Sequence, residues 1–192
     1  MARALRILAV LLILPLLLAS AGPADDGRWY AGSYSFSDEL GGFRILSIRG
    51  TGTKADPVEI SEELHSANPV TLVIRTTHRL PVAQTGTLHL RVAVVNKSGL
   101  AWIEFAFELQ EILGKPSNFY DGLSFAQVSP VPDLVSSDRF ASFESRFESF
   151  DRLRFSNGHA DPLSQTRFGF LITDVTPADK FYLLQDPRVP FS

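Results

Sequence analysis

Residues 103–110 read Ile-Glu-Phe-Ala-Phe-Glu-Leu-Gln, with a large apolar residue at every second position. Successive side chains of a β-strand point to opposite faces of a sheet, so this period of two predicts a strand with one buried face. The same alternation recurs in residues 88–95 and 168–172. These three segments predict that the core of the protein is built from strands.

Further strand candidates surround these segments, at residues 30–36, 43–48, 58–60, 70–76, 153–155 and 181–183. Turn-forming sequences separate them, among them Gly41-Gly42, residues 96–99, residues 114–117 and Asn157-Gly158. Many short strands with frequent turns predict an all-β fold. The expected architecture is an antiparallel β-sandwich of immunoglobulin-like or jelly-roll-like type, and a closed barrel is the geometric alternative.

Residues 140–150 are compatible with either a helix or a strand. Phe140, Phe143, Phe147 and Phe150 are spaced like one face of a helix. The intervening serines lower helix propensity, and Phe143 and Phe147 can equally share one face of a strand. A short helix over a sheet end and a strand therefore both remain open for residues 140–150.

The first twenty-one residues have the pattern of a secretory signal peptide. Arg3 and Arg6 precede an apolar run at residues 7–18, and Ala19-Ser20-Ala21 follows. This order predicts a helical signal peptide that is cleaved after Ala21, a secreted or periplasmic protein, and no stable membrane insertion after cleavage. The expected organisation is a signal peptide at 1–21, a polar leader at 22–28 and a single β-sandwich domain at 29–192.

Composition excludes several function classes. The chain of 192 residues has no cysteine, so a disulfide framework, a cysteine metal ligand and a thiol nucleophile are excluded. Its 18 basic and 21 acidic residues give a formal net charge of −3. The sequence shows no cluster of Lys and Arg of the kind that replaces phosphate counterions, so we expect no nucleic-acid partner.

Aromatic residues outside the alternating core positions are candidates for ligand binding. Carbohydrate-binding sandwiches stack sugars on such rings, and protein interfaces use them as anchors. The candidates are Trp29, Tyr30, Trp102 and Tyr120. Trp102 directly follows a turn, where it can also plug one end of the sandwich.

Loop carboxylates are candidates for a calcium site, because Ca²⁺ is held by six or more oxygen ligands. Asp174 and Asp179 flank one loop and Asp121 begins another, with Asp133 and Asp138 as further candidates. The alternative is that these aspartates cap turns. No other cofactor is expected, since the four histidines are dispersed.

A hydrolase using two carboxylates is the enzymatic alternative. Glu104 and Glu108 stand on one face of the strand at 103–110, where they can be neighbours or simply a solvated polar face. Glu62-Glu63 is interpreted as a solvated strand edge.

The order of strand and turn motifs from residue 90 to 187 resembles the β-sandwich modules of bacterial exported proteins that are called choice-of-anchor domains. The motifs are residues 94–102, 107–110, 121–125, 151–158, 168–174 and 181–187. The resemblance implies a fold and a location and no activity. We therefore expect an exported, non-enzymatic protein that binds an envelope or extracellular protein or glycan. The alternatives are a small secreted glycan hydrolase and a calcium-binding structural or matrix component.

Overall fold

The computed structural model describes residues 22–77, 86–118, 120–125, 134–146 and 150–190, so the expected signal peptide lies outside the described residues. Alternation of apolar and polar residues produces thirteen strands in the described part of the chain. They are β1 (Trp29–Ala31), β2 (Tyr34–Ser37), β3 (Phe43–Arg49), β4 (Val58–Leu64), β5 (Val70–Thr76), β6 (Gly86–Asn96), β7 (Glu104–Gln110), β8 (Leu123–Phe125), β9 (Ser136–Ser137), β10 (Phe140–Arg146), β11 (Arg152–Gly158), β12 (Gln165–Asp174) and β13 (Lys180–Arg188).

The strands form two sheets that pack face to face. The seven-stranded sheet has the order β1-β2-β5-β13-β7-β11-β10. The six-stranded sheet has the order β3-β4-β6-β12-β8, and β9 also pairs with β12. Pairing between the described strands is antiparallel except between β4 and β6, which run parallel because β5 crosses to the other sheet between them. The predicted all-β sandwich is confirmed.

The inward faces of both sheets meet in one apolar core. Its centre is the aromatic cluster, which we define as Phe105, Phe107, Phe155, Phe168 and Phe170. The ring of Phe168 lies 4.8 Å from that of Phe105 and 4.8 Å from that of Phe155, measured between centroids. Edge-on and tilted contacts of this kind add to the free energy of burying the rings. The cluster therefore joins strands β7 and β11 of one sheet to β12 of the other.

Two sequence predictions differ from the structure in detail. The strand expected at residues 30–36 is a hairpin of β1 and β2, because Gly32 turns the chain with a φ of 55°. The ambiguous segment at 140–150 is a strand as far as Arg146 rather than a helix, with Phe140 buried and Phe143 partly exposed beside its strand partner Phe155. Phe147 lies outside the described residues. No helix among the described residues is long and apolar enough to span a bilayer.

Candidate functional site

A groove of about 760 Å³ crosses the outer face of the six-stranded sheet. Small side chains form its floor, chiefly Ser61 on β4, Ala93 on β6 and Gly169 on β12. Ser47 on β3 and Ser136 on β9 line its two sides. A volume in this range is typical of sites for small molecules and short segments of a polymer.

Strand register places the lining residues in two rows. In the first row Arg49 pairs with Glu59, Glu59 with Arg91, Arg91 with Gly169, and Gly169 with Ser136. In the second row the order is Ser47, Ser61, Ala93 and Arg167. Each row contains side chains of one face only, because the side-chain period of a strand is two. The groove is therefore a product of residues distant in sequence and adjacent in the sheet.

Two backbone features shape the sides of the groove. The register of β3 against β4 shifts between Ile45 and Ser47, which is a β-bulge and sets Ser47 opposite Ser61. On the other side, a Cβ atom at Gly169 would lie 2.8 Å from the Oγ atom of Ser136. Glycine at this position therefore allows β9 to approach β12 closely.

Charged side chains surround the floor. Glu59 accepts hydrogen bonds from Arg49 Nε at 2.6 Å and from Arg91 Nη1 at 3.4 Å. The hydrogen bond from Arg49 lowers the pKa of Glu59. Asp138 accepts one from the backbone N–H of Arg167 at 2.8 Å and one from its Nη1 at 3.3 Å. Both carboxylates of the groove are thus paired with arginines, and the pairing favours the ionised form of Glu59.

A second polar group lies inside the sandwich, behind the groove floor. Glu62 on β4 is fully buried, and so are Gln185 on β13 and Thr166 on β12. The carboxylate oxygens of Glu62, the amide of Gln185 and the hydroxyl of Thr166 have no hydrogen-bond partner among the described residues. Burial raises the pKa of Glu62 to about 8, the amide of Gln185 opposes this rise, and the charge of Asp38 adds to it. Burial therefore favours the neutral carboxylic acid form of Glu62 at pH 7.

None of the aromatic candidates lines the groove, and the neighbours Trp29 and Tyr30 point to opposite faces of β1. Trp29 and Trp102 belong to the buried core, so neither ring is open to a ligand. Trp102 donates its indole N–H to the hydroxyl of Ser98 at 3.1 Å. Tyr30 is half exposed and donates its hydroxyl to Asp26 at 2.7 Å, and Tyr120 is 92% exposed in the loop before β8. The four residues do not form a common surface for stacking a sugar.

Of the calcium candidates, Asp121 and Asp174 lie in loops that contact each other. Thr176, in the loop after Asp174, donates its hydroxyl to the backbone carbonyl of Asp121 at 2.6 Å. The side chain of Asp121 accepts the backbone N–H groups of Asn118 and Leu123, and that of Asp174 accepts those of Thr176 and Ala178. Both carboxylates therefore cap turns.

The remaining acidic candidates do not complete a calcium site in the described chain. Asp138 lies in the groove, and Asp133 lies outside the described residues. In the described part of the chain, no three His, Cys, Asp or Glu side chains are placed to hold a metal ion. Calcium binding through Asp121, Asp174 and Asp179 stays a prediction.

The glutamates considered as catalytic residues of a hydrolase are not the solvated neighbours that the sequence suggested. Glu108 is buried rather than solvated, and it accepts a hydrogen bond from Arg152 Nε at 3.1 Å. Glu104 stands four residues along the same strand, so their Cα atoms are about 13 Å apart. The interpretation of Glu62-Glu63 as a solvated edge is wrong for Glu62, because its side chain points into the sandwich.

Of the groove residues, sequence reasoning singled out only Asp138, and did so as a calcium candidate. Arg91 was recognisable as an outward residue of its strand, since it stands between Leu90 and Val92. Its neighbours on β3, β4 and β12 depend on strand order, which the local pattern does not encode. A weak signal was present at Gly169, because glycine inside a strand often marks close approach of another backbone.

No protein-family model, curated protein or solved structure matches the chain.

Proposed function

We propose that this is an exported, non-enzymatic protein that binds an envelope or extracellular glycan in the groove of the six-stranded sheet. The observation that carries the proposal is the lining of the groove, where serine hydroxyls and arginine guanidinium groups face outward from a floor of small side chains. Hydroxyls both donate and accept hydrogen bonds, as sugar hydroxyls require. The resemblance to choice-of-anchor modules and the N-terminal pattern support a secreted or periplasmic location.

The charge state of the groove favours binding over hydrolysis. A glycosidase needs one carboxylic acid whose pKa is raised so that it can protonate the leaving group. In the groove the pKa of Glu59 is lowered by Arg49. Among the described residues, Glu62, Asp151 and Asp174 have raised pKa values, and none of them lines the groove.

Filling the groove floor should weaken binding. Ala93→Phe places a ring between Ser61 and Arg167 in the second row, and should weaken glycan binding by about tenfold or more. Thr71→Phe, on the outer face of the seven-stranded sheet, is the matched control and should leave binding unchanged. The measurement is retardation of the purified protein in native gels that contain either dextran or polygalacturonate.

Three results would contradict the proposal. The first is that neither polysaccharide retards the wild-type protein. The second is that Ala93→Phe is retarded as strongly as the wild type. The third is that incubation with a bound polysaccharide releases new reducing ends. The last result would favour the hydrolase instead.

A further inference from the structure

The arginines of the groove are unequally neutralised. Glu59 is shared by two guanidinium groups, and its contact with Arg49 is much shorter than its 3.4 Å contact with Arg91. Arg167 reaches Asp138 with one side-chain nitrogen at 3.3 Å. The side chains of Arg91 and Arg167 are 62% and 68% exposed. Each of these two guanidinium groups therefore keeps most of its five N–H donors available to a ligand.

The groove carries more positive than negative charge. Its lining includes three arginines, namely Arg49, Arg91 and Arg167, and two acids, Glu59 and Asp138. The whole chain has the opposite balance, with a formal net charge of −3. A concave surface with a net positive charge attracts anionic ligands, even on a protein whose total charge is negative.

The shape and chemistry of the groove suit a polysaccharide better than a protein. From β3 to β9 the groove crosses five strands, a distance of about 19 Å, which is long enough for several sugar units. The apolar residues Ile60, Val92 and Phe168 that border it are buried in the core. Protein interfaces are centred on exposed aromatic or aliphatic anchors, which this floor of serine, alanine and glycine does not supply.

We propose that the groove binds an acidic polysaccharide, with the anionic groups of the ligand on Arg91 and Arg167 and its hydroxyl groups on the serines. A planar guanidinium pairs with a carboxylate or sulfate through two parallel hydrogen bonds, which gives orientation as well as affinity. This inference rests on the proposed glycan-binding function and adds the charge class of the ligand.

Ligand preference is the first measurement. Polygalacturonate should bind about tenfold or more tightly than its fully methyl-esterified form, which has the same backbone without the charges, and the affinity should fall as salt is raised. Dextran sulfate compared with dextran tests whether sulfate serves as well as carboxylate. Equal binding of the charged and neutral members of both pairs would overturn the inference and leave the glycan-binding function standing. Binding of no member would overturn both.

Substitutions test whether Arg91 and Arg167 cause the preference for acidic polysaccharides. The double variant Arg91→Gln/Arg167→Gln should lose about tenfold or more in affinity for polygalacturonate, whereas Arg154→Gln should lose little. Arg154 is a matched control because it is an exposed arginine paired with Glu144 at 2.9 Å on the seven-stranded sheet. Glu59→Gln should tighten binding several-fold, since it releases Arg49 and Arg91. Weaker binding by Glu59→Gln, or equal losses in the double variant and the control, would overturn the assignment.

Discussion

Replacing Phe168 by alanine should lower the free energy of unfolding by about 3 to 5 kcal/mol. Phe168 is 2% exposed, and its ring contacts Phe105, Phe107 and Phe155 across the interface between the sheets. Removal of the ring loses the free energy of burying it and leaves a cavity among rigid neighbours that cannot collapse fully. A domain is stable by only about 5 to 15 kcal/mol, so this is a large fraction of the total.

Urea unfolding of the wild type and the variant measures this loss. Phe143→Ala is the control, because Phe143 is 42% exposed and its truncation should cost about 1 kcal/mol or less. If Phe168→Ala does not fold, Phe168→Leu keeps most of the volume and should show a smaller loss in the same direction. A loss at Phe168 no larger than that at Phe143 would mean that the aromatic cluster does not stabilise the sandwich.

The second large effect is expected at Glu62. Glu62→Gln should raise the free energy of unfolding by about 3 kcal/mol at pH 7, and this gain should vanish near pH 4.5. The reason is the pKa of about 8 that burial gives Glu62, against 4.5 for an ordinary glutamate. Between these values the folded protein holds a proton that the unfolded chain has released.

The sign of the pH dependence follows from this proton. The contribution of Glu62 to stability is fully present below pH 4.5 and is lost as the pH rises, at about 1.4 kcal/mol for each pH unit, until it levels off above pH 8. Glutamine has a similar shape to glutamic acid and cannot ionise. The free energy of unfolding of the Glu62→Gln variant therefore lacks this pH dependence.

Urea unfolding at pH 5, 7 and 8 tests the prediction through the difference between variant and wild type, which cancels titration of the other groups. Glu63→Gln is the control. Glu63 is the next residue on β4, but it lies on the outer face and pairs with Arg44 at 3.0 Å. A constant difference between Glu62→Gln and the wild type across this pH range would show that Glu62 does not hold a proton in the folded state.

The period of two in the sequence predicted most strands of the core, but it missed β8, whose Leu123 and Phe125 are buried. Residues 70–76 were predicted as a strand and form β5 with the same limits. The hairpin at Gly32 was missed because a single glycine is a weak turn signal, and part of the need for glycine there is not local. A Cβ atom at Gly32 would lie 2.1 Å from the backbone oxygen of Thr51, so this part of the need appears only once distant strands are packed.

The position of Glu62 could have been read from the sequence. Val58, Ile60 and Leu64 alternate along β4 and place Glu62 on the same inward face. The charge of glutamate suggested a solvated residue, since isolated ionised carboxylates are rarely buried. The structure reconciles the pattern with the chemistry, because the neutral acid can be buried at a smaller cost than the carboxylate.

The groove lay beyond local prediction for a different reason. Arg49, Arg91 and Arg167 meet because β3, β4, β6 and β12 are neighbours, and the parallel pairing of β4 with β6 follows a crossover through the other sheet. Alternation assigns each arginine to an outer face and says nothing about which strands are adjacent. A bulge in β3 adds a shift of one residue that no pattern in the sequence marks.

The place of β13 has a consequence for how the protein folds. β13 is the last described strand, yet it lies between β5 and β7 in the seven-stranded sheet and pairs with both. Neither neighbour can complete its hydrogen bonds until this late segment arrives, and pairings between residues so far apart in sequence form slowly. During synthesis the seven-stranded sheet therefore stays incomplete until β13 has been made and can pair with β5 and β7. A copy truncated before Lys180 would keep two open strand edges of the kind that lead to aggregation.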